Sequence, residues 1–280
     1  MNEALADSLA GIHVVALTTN IPGPVAAARL RALGARVTKI EPAHGDPLEG
    51  ASAQWYAQLG AGIEIIQLNF REPGAQTVLD AHLQHADVLL TAMRARSLER
   101  IGLHWEQLHR RYPRLSMISL TGEAPPHDDR AGHDLTYQAR AGTIAAPAMP
   151  RALVGDMAAA ERIVSVTLAA LLKRARTGDG VFANVNIVDC ARDFAQPYVH
   201  GMTREGGPLG GGLPTYDIYA AEDGWVAVAA LEPHFVERLQ SLLAVEELTR
   251  EAIRDALARR SAQEWERLGE QYDVPLAAVR

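Results

Sequence analysis

A single cysteine, Cys190, stands among the 280 residues, so the chain carries neither a disulfide framework nor a cysteine-based metal site. No stretch approaches the roughly 20 uninterrupted apolar residues of a membrane span. The opening MNEALADSLAG lacks the basic start and apolar core of a signal peptide, which makes the cytoplasm the expected location. Basic residues are in deficit: 27 Lys and Arg against 34 Asp and Glu give a net charge of −7. That balance argues against non-specific nucleic-acid binding, although it leaves room for a local basic groove. Several catalytic signatures are missing as well. LGAGIE (59–64) lacks the third glycine and the following helix of a dinucleotide fingerprint. There is no Ser or Cys nucleophile elbow. His82 and His85 are three residues apart with no third ligand near them, so no metal is expected.

What is present is a long, apolar, alternating chain. With 48% hydrophobic residues it can bury one large core, or a large and a small one. Short apolar runs at 13–19, 36–41, 87–93 and 114–122 alternate with amphipathic helical segments at 25–34, 73–86 and 97–112, the pattern of a parallel sheet covered by helices. Prolines 22 and 24 and the Gly-Ala at 34–35 punctuate the first helix. The Gly-rich stretch REGGPLGGGLP (204–214) reads as a linker, dividing the chain into a large α/β domain (1–205) and a smaller one (206–280). The smaller one opens with a hairpin turning at 222–224 and continues with helical spacing.

The chemistry-bearing residues cluster in the middle. GHDLTYQARAG (132–142) holds His133, Asp134 and Tyr137, and VGDMAAAERIVSVTLAALLKR (154–174) places Asp156 at the mouth of a long helix. A histidine and a carboxylate at one site are the two groups needed to take a proton from one face of a carbon acid and return it on the other. The helix N-terminus would supply N–H donors, Asp156's own among them, and a favourable dipole for the enolate oxygen. The same residues also fit a plain structural reading, with Asp156 as an N-cap and His133 as a loop histidine.

The order of segments along nearly the whole chain resembles the class III CoA-transferase and α-methylacyl-CoA racemase superfamily (CaiB/BaiF type). The resemblance rests on residues 9–47, with a Pro-Gly-Pro turn and a closing Glu-Pro-x-x-Gly-Asp, and on 86–122. It continues through the His-Asp-x-x-Tyr and Gly-Asp motifs and TGDG (177–180) to GGGLPTYDIYAAEDGWVAVAALEPHF (210–235), which is closest to the racemase branch. It implies a Rossmann-like large domain with a smaller α/β domain, a homodimer in which subunits thread through each other, and an acyl-CoA thioester as substrate, with no tightly bound cofactor. His133 and Asp156 become the two proton carriers and Glu232, in LEPHF, the tuning partner of the histidine. Asp134 and Tyr137 would orient that histidine and line the acyl pocket. In the transferase branch Asp156 would instead be a nucleophile, and a shortened member could bind without turnover.

Departures from the family set further expectations. A basic run that contacts CoA phosphates is replaced by LGAGIEIIQLNFREPG (59–74), with Glu64 in its place. Each lost phosphate contact removes about 1.5–3 kcal/mol when well formed. Lys39 and Arg94, with Arg96, are then the basic groups left to meet CoA. The chain stops at PLAAVR (275–280), so the family's return segment is expected to be absent and the interlocking incomplete. His127, beside two acidic residues, reads as a solvated loop histidine.

Overall fold

The structure is a computed structural model that describes residues 3–280. Two compact units emerge, one ending at Ala195 and the other running from Gln196 to Arg280.

The first unit contains β1 (His13–Leu17), α1 (Pro22–Ala32), β2 (Arg36–Glu41), α2 (Pro47–Ala51), α3 (Ala53–Gly60), β3 (Glu64–Gln67), α4 (Ala75–Leu83) and β4 (Val88–Thr91). It goes on through α5 (Ala95–Arg100), α6 (Trp105–Arg111), β5 (Ser116–Thr121), α7 (Asp134–Ala141), α8 (Val154–Thr177), β6 (Phe182–Asn186) and α9 (Ile187–Phe194). The six strands are parallel and lie in the order β3-β2-β1-β4-β5-β6. This is the doubly wound arrangement, in which the order reverses beside the first strand and a crevice opens at the carboxyl ends. β1 and β4 are buried along their whole length, as continuous apolar runs covered on both faces must be.

Each face has its own core. On one, Leu30 of α1 and Ile163 of α8, both 0% exposed, pack with Val14, Leu90 and Ile118. Burial of each such side chain contributes about 1.5–3 kcal/mol. Ala158, Ala159 and Ala160 lie in the same core, and their short side chains let α8 run close to its neighbours. On the other, Leu79, Leu83, Leu103 and Leu108 cover Val15, Leu89 and Met117. The single helix expected over 97–112 is two, α5 and α6, interrupted at the Gly102 turn.

The second unit begins with the short α10 (Gln196–Val199) and contains β7 (Tyr216–Ala220), β8 (Trp225–Ala229), α11 (Pro233–Leu243), α12 (Arg250–Leu257), α13 (Ala262–Tyr272) and β9 (Leu276–Ala278). The hairpin pairs Ala220 with Trp225 as its spacing predicts, while β9 adds an antiparallel third strand from the PLAAVR segment. Leu239, Ile253, Leu257 and Trp265 form its core.

The Gly-rich stretch read as a linker is folded tightly on itself inside this second unit. A side-chain carbon on Gly207, Gly210 or Gly212 would lie 2.2, 1.9 or 2.4 Å from a carbonyl oxygen of the same loop, so only glycine fits. Arg250 pins the loop further by donating to the Gly211 carbonyl oxygen (2.6 Å) and pairing with Asp217.

Candidate active site

A cleft of about 380 Å³ opens at the carboxyl ends of β1, β4 and β5, the position where a doubly wound sheet binds its ligands. Thr19 and Asn20 come from the β1–α1 turn, Met93 and Arg94 from the end of β4, and His133, Tyr137 and Asp156 from α7 and α8. His133 and Asp156, separated by 23 positions, therefore line one cavity. The sequence reading missed Thr19, Asn20 and Asp128, which share the lining. The carboxyl end of the first strand was the signal that would have found the first two.

Asp156 is 8% exposed and sits as the third residue of α8, where Leu153 occupies the N-cap. It is thus not the N-cap that its motif suggested. Burial, followed by the nearby charge of Asp134, pushes its pKa up to about 7. Among the described residues no hydrogen bond reaches its carboxylate. Its backbone N–H, expected to face a developing oxyanion, is donated to Asp134 Oδ1 at 2.9 Å.

That contact redefines Asp134. Its side chain is 4% exposed, one oxygen accepting from Asp156 N–H and the other from Gln138 Nε2 at 2.5 Å. Gln138 Nε2 also donates to the Ala152 carbonyl oxygen at 2.9 Å. Both carboxylate oxygens are engaged by groups other than the histidine, and among the described residues no hydrogen bond joins Asp134 to His133. Asp134 caps α8 from outside, satisfying one of the N–H groups that a helix start leaves without a partner. His133 is itself the N-cap residue of α7, exposed, with its backbone N–H donated to Thr136 Oγ1 at 3.2 Å. Tyr137 is 6% exposed. Its side chain lies so close to Gly122 and Gly132 that a side-chain carbon would fall 2.4 Å from its hydroxyl oxygen at the first and 2.5 Å from its ring at the second. Burial, with the Asp156 charge next, raises its pKa above the ordinary value for tyrosine, keeping a neutral hydroxyl at the cleft wall.

Lys39 does not face the cleft. Its ammonium is enclosed between Glu41 Oε1 (2.8 Å) and Asp46 Oδ2 (2.6 Å), with all three side chains almost fully buried and the Tyr56 ring 5.1 Å away. Two neighbouring carboxylates consume its charge, so it is not available to phosphates. Asp46 is a hub: its other oxygen accepts from Asn20 N–H at 2.8 Å and caps α2 through Leu48 N–H at 3.0 Å. The Glu-Pro-x-x-Gly-Asp motif therefore positions the β1–α1 turn that lines the cleft. Glu64, standing where basic residues were expected, lies on the edge strand β3 and pairs with Arg36 (3.2 Å) and Thr38 (2.9 Å) of β2, contacts that hold its carboxyl below the usual range, the Thr38 bond most. Arg94 is exposed and lines the cleft. Arg96 pairs with Asp129 at 3.5 Å. Glu232 belongs to the second unit, where it is the exposed N-cap residue of α11 and makes no side-chain cap bond.

Comparison with known proteins gives a consistent picture. The family profile described as CoA-transferase family III matches residues 9–280. Human alpha-methylacyl-CoA racemase is 30% identical over 250 residues, covering 83% of this chain and 64% of the racemase. Human succinyl-CoA:glutarate CoA-transferase is 26% identical over 245 residues, covering 79% of this chain and 56% of that enzyme. The chain thus spans less than two thirds of the length of these relatives. Among solved structures, a hypothetical protein from Mycobacterium tuberculosis superposes with a TM-score of 0.84 at 26% identity, covering 97% of this chain and 85% of its own. A CaiB/BaiF family protein from Brucella suis shares the fold, with a TM-score of 0.82 at 22% identity over 97% of this chain and 84% of its own.

Proposed function

The chain belongs to CoA-transferase family III, and on that footing we propose that it interconverts the epimers of 2-methylacyl-CoA thioesters through their α-carbon. Asp156 carries this reading: a buried carboxyl with a pKa of about 7, lining the same cleft as His133. At neutral pH such a group is present in both protonation states, as a carrier that must be acid in one direction and base in the other requires. One of the pair removes the α-proton, the electron pair moves onto the thioester oxygen as an enolate, and the other returns a proton to the opposite face. With Asp156 N–H engaged by Asp134, the neutral Tyr137 hydroxyl is the donor we assign to that oxygen. Glu232 as the tuning partner of His133, Arg94 as a phosphate contact and a homodimeric assembly are further proposals drawn from the family resemblance.

A second reading uses the same carboxylate. With its carboxylate free of hydrogen bonds among the described residues and lining the cleft, ionised Asp156 could attack the thioester carbonyl carbon, forming a mixed anhydride as the CoA thiolate leaves. Incubation with a panel of acyl-CoAs in deuterated water separates the two. Deuterium at the α-carbon without acyl exchange supports epimerisation, and acyl exchange without deuterium supports transfer. Inactivity across the panel would favour a binding protein. His133→Ala sharpens the result, since it should slow exchange of one epimer by about 10²–10⁴ while sparing the epimer that Asp156 serves. An equal, small effect on both epimers would remove His133 from the mechanism.

A further inference from the structure

Beside the cleft lies a second cavity of about 260 Å³, on the face of the sheet covered by α5 and α6. Strand alternation builds it. Met117 and Ser119 of β5 stand in register with Phe182 and Asn184 of β6, so all four point to the same face. Trp105 of α6 closes the slot, its ring 5.7 Å from that of Phe182 and tilted by 32°. The cavity adjoins the cleft, with Met93, Arg94, Thr121 and Asp128 lining both.

Two polar groups in this wall have no partner. Ser119 is 7% exposed, and among the described residues no hydrogen bond reaches its hydroxyl. Asn184 accepts from Thr121 Oγ1 at 3.3 Å through its oxygen, but its amide nitrogen donates to nothing among them. Neither atom is sealed off from the cavity, and a hydroxyl can donate and accept while an amide nitrogen donates.

Resting on the α-carbon reading above, we propose that this cavity selects the acyl group: an aryl ring packs against the touching Trp105–Phe182 pair, and a hydroxyl on the ring meets Ser119 and Asn184. An apolar cavity of about 150 Å³ holds benzene, so this one has room for a substituted ring. Aromatic walls favour ring over chain through offset and edge-to-face contacts. The shared lining sets the direction, with the thioester beside His133 and Asp156 and the ring beyond Met93.

The test compares α-deuterium exchange of 2-methyl-3-(4-hydroxyphenyl)propanoyl-CoA, its unsubstituted phenyl analogue and 2-methylbutanoyl-CoA. The ring-bearing thioesters should exceed the butanoyl one in kcat/KM by at least about tenfold, as a filled apolar pocket allows. Phe182→Ala should collapse that preference through KM, and Ser119→Ala should erase the preference for the hydroxylated ring. Equal kcat/KM for all three substrates, or ratios that neither variant changes, would overturn the proposal. Phe182 lies 45% exposed on an edge strand, so its truncation leaves the core untouched. If no thioester is exchanged, the α-carbon reading fails, and calorimetry with 3-(4-hydroxyphenyl)propanoate decides the cavity alone. Binding weakened by Phe182→Ala supports the ring site, whereas no binding, or binding unaffected by that variant, overturns it.

Discussion

Asp46 and Asp156 each follow a glycine, each sit at the start of a helix and are buried to nearly the same degree, 3% and 8% exposed. Their surroundings are opposite. Asp46 accepts from Lys39, Asn20 and Leu48, so its negative charge is fully compensated. Asp156 has no hydrogen bond to its carboxylate among the described residues, and burial, then the nearby Asp134 carboxylate, raises its pKa. A buried charge surrounded by donors holds structure together, whereas one deprived of them is kept ready to change its protonation state. Two Gly-Asp pairs that look alike in the sequence thus differ in kind, one serving the architecture and the other, in the function we propose, the chemistry.

The sharpest way to break this contrast is Asp156→Asn. Turnover should fall by about 10²–10⁴, yet the folded state should gain stability. The folded pKa of about 7 lies above the ordinary 3.8, so ionised Asp156 opposes folding progressively as pH rises from about 4 to 7. Asparagine relieves up to ~4 kcal/mol of this at pH 8 and almost nothing near pH 4. Denaturant melts at the two pH values check the sign; equal stability at both would show that the carboxyl ionises normally. Asp46→Ala should do the reverse, costing about 3–5 kcal/mol because it leaves the buried Lys39–Glu41 group incomplete. A loss below 1 kcal/mol would dissolve the distinction.

Smaller effects sharpen the comparison. Arg94→Ala, on the cleft side, should weaken CoA binding roughly tenfold to a hundredfold by calorimetry, and unchanged affinity would place the phosphates elsewhere. Asp134→Ala should cost about 0.5–2 kcal/mol as a lost helix cap. It should also move the Asp156 ionisation to lower pH, because the Asp134 charge is one cause of its raised value. A pH–rate profile that does not shift would deny that coupling.

How much of this was legible beforehand follows from the range of the interactions. The alternation of buried strands and helices is local, and it predicted β1, β2, β4, β5 and the hairpin. β3 escaped because its four residues, EIIQ, are mostly exposed at the sheet edge, so no apolar pattern marks them. Glycine content suggested a linker at 204–214, since composition cannot reveal that the chain winds back on its own carbonyls. Lys39 looked like a phosphate contact because its partners Asp46 and Glu41 become visible as partners only once β2 is buried. Asp134 looked like a support for His133, and only the fold brings it to the N-terminus of α8. His133, Asp156 and Tyr137 do share the cleft, as their motifs suggested.

The bond from Asp156 N–H to Asp134 Oδ1 has a mechanical consequence. His133 begins α7 and Asp156 lies in the first turn of α8, and this bond fastens the two helix starts directly to each other, with Gln138 bracing Ala152. The spacing of His133 and Asp156, the two proton carriers we propose, is therefore set by a short bolt as well as by the chain that connects them. Residues 144–150 form a mostly exposed loop beside that bolt, which the bond between the helix starts does not depend on. A change in the loop around the entrance would leave the bond that joins the two helix starts in place.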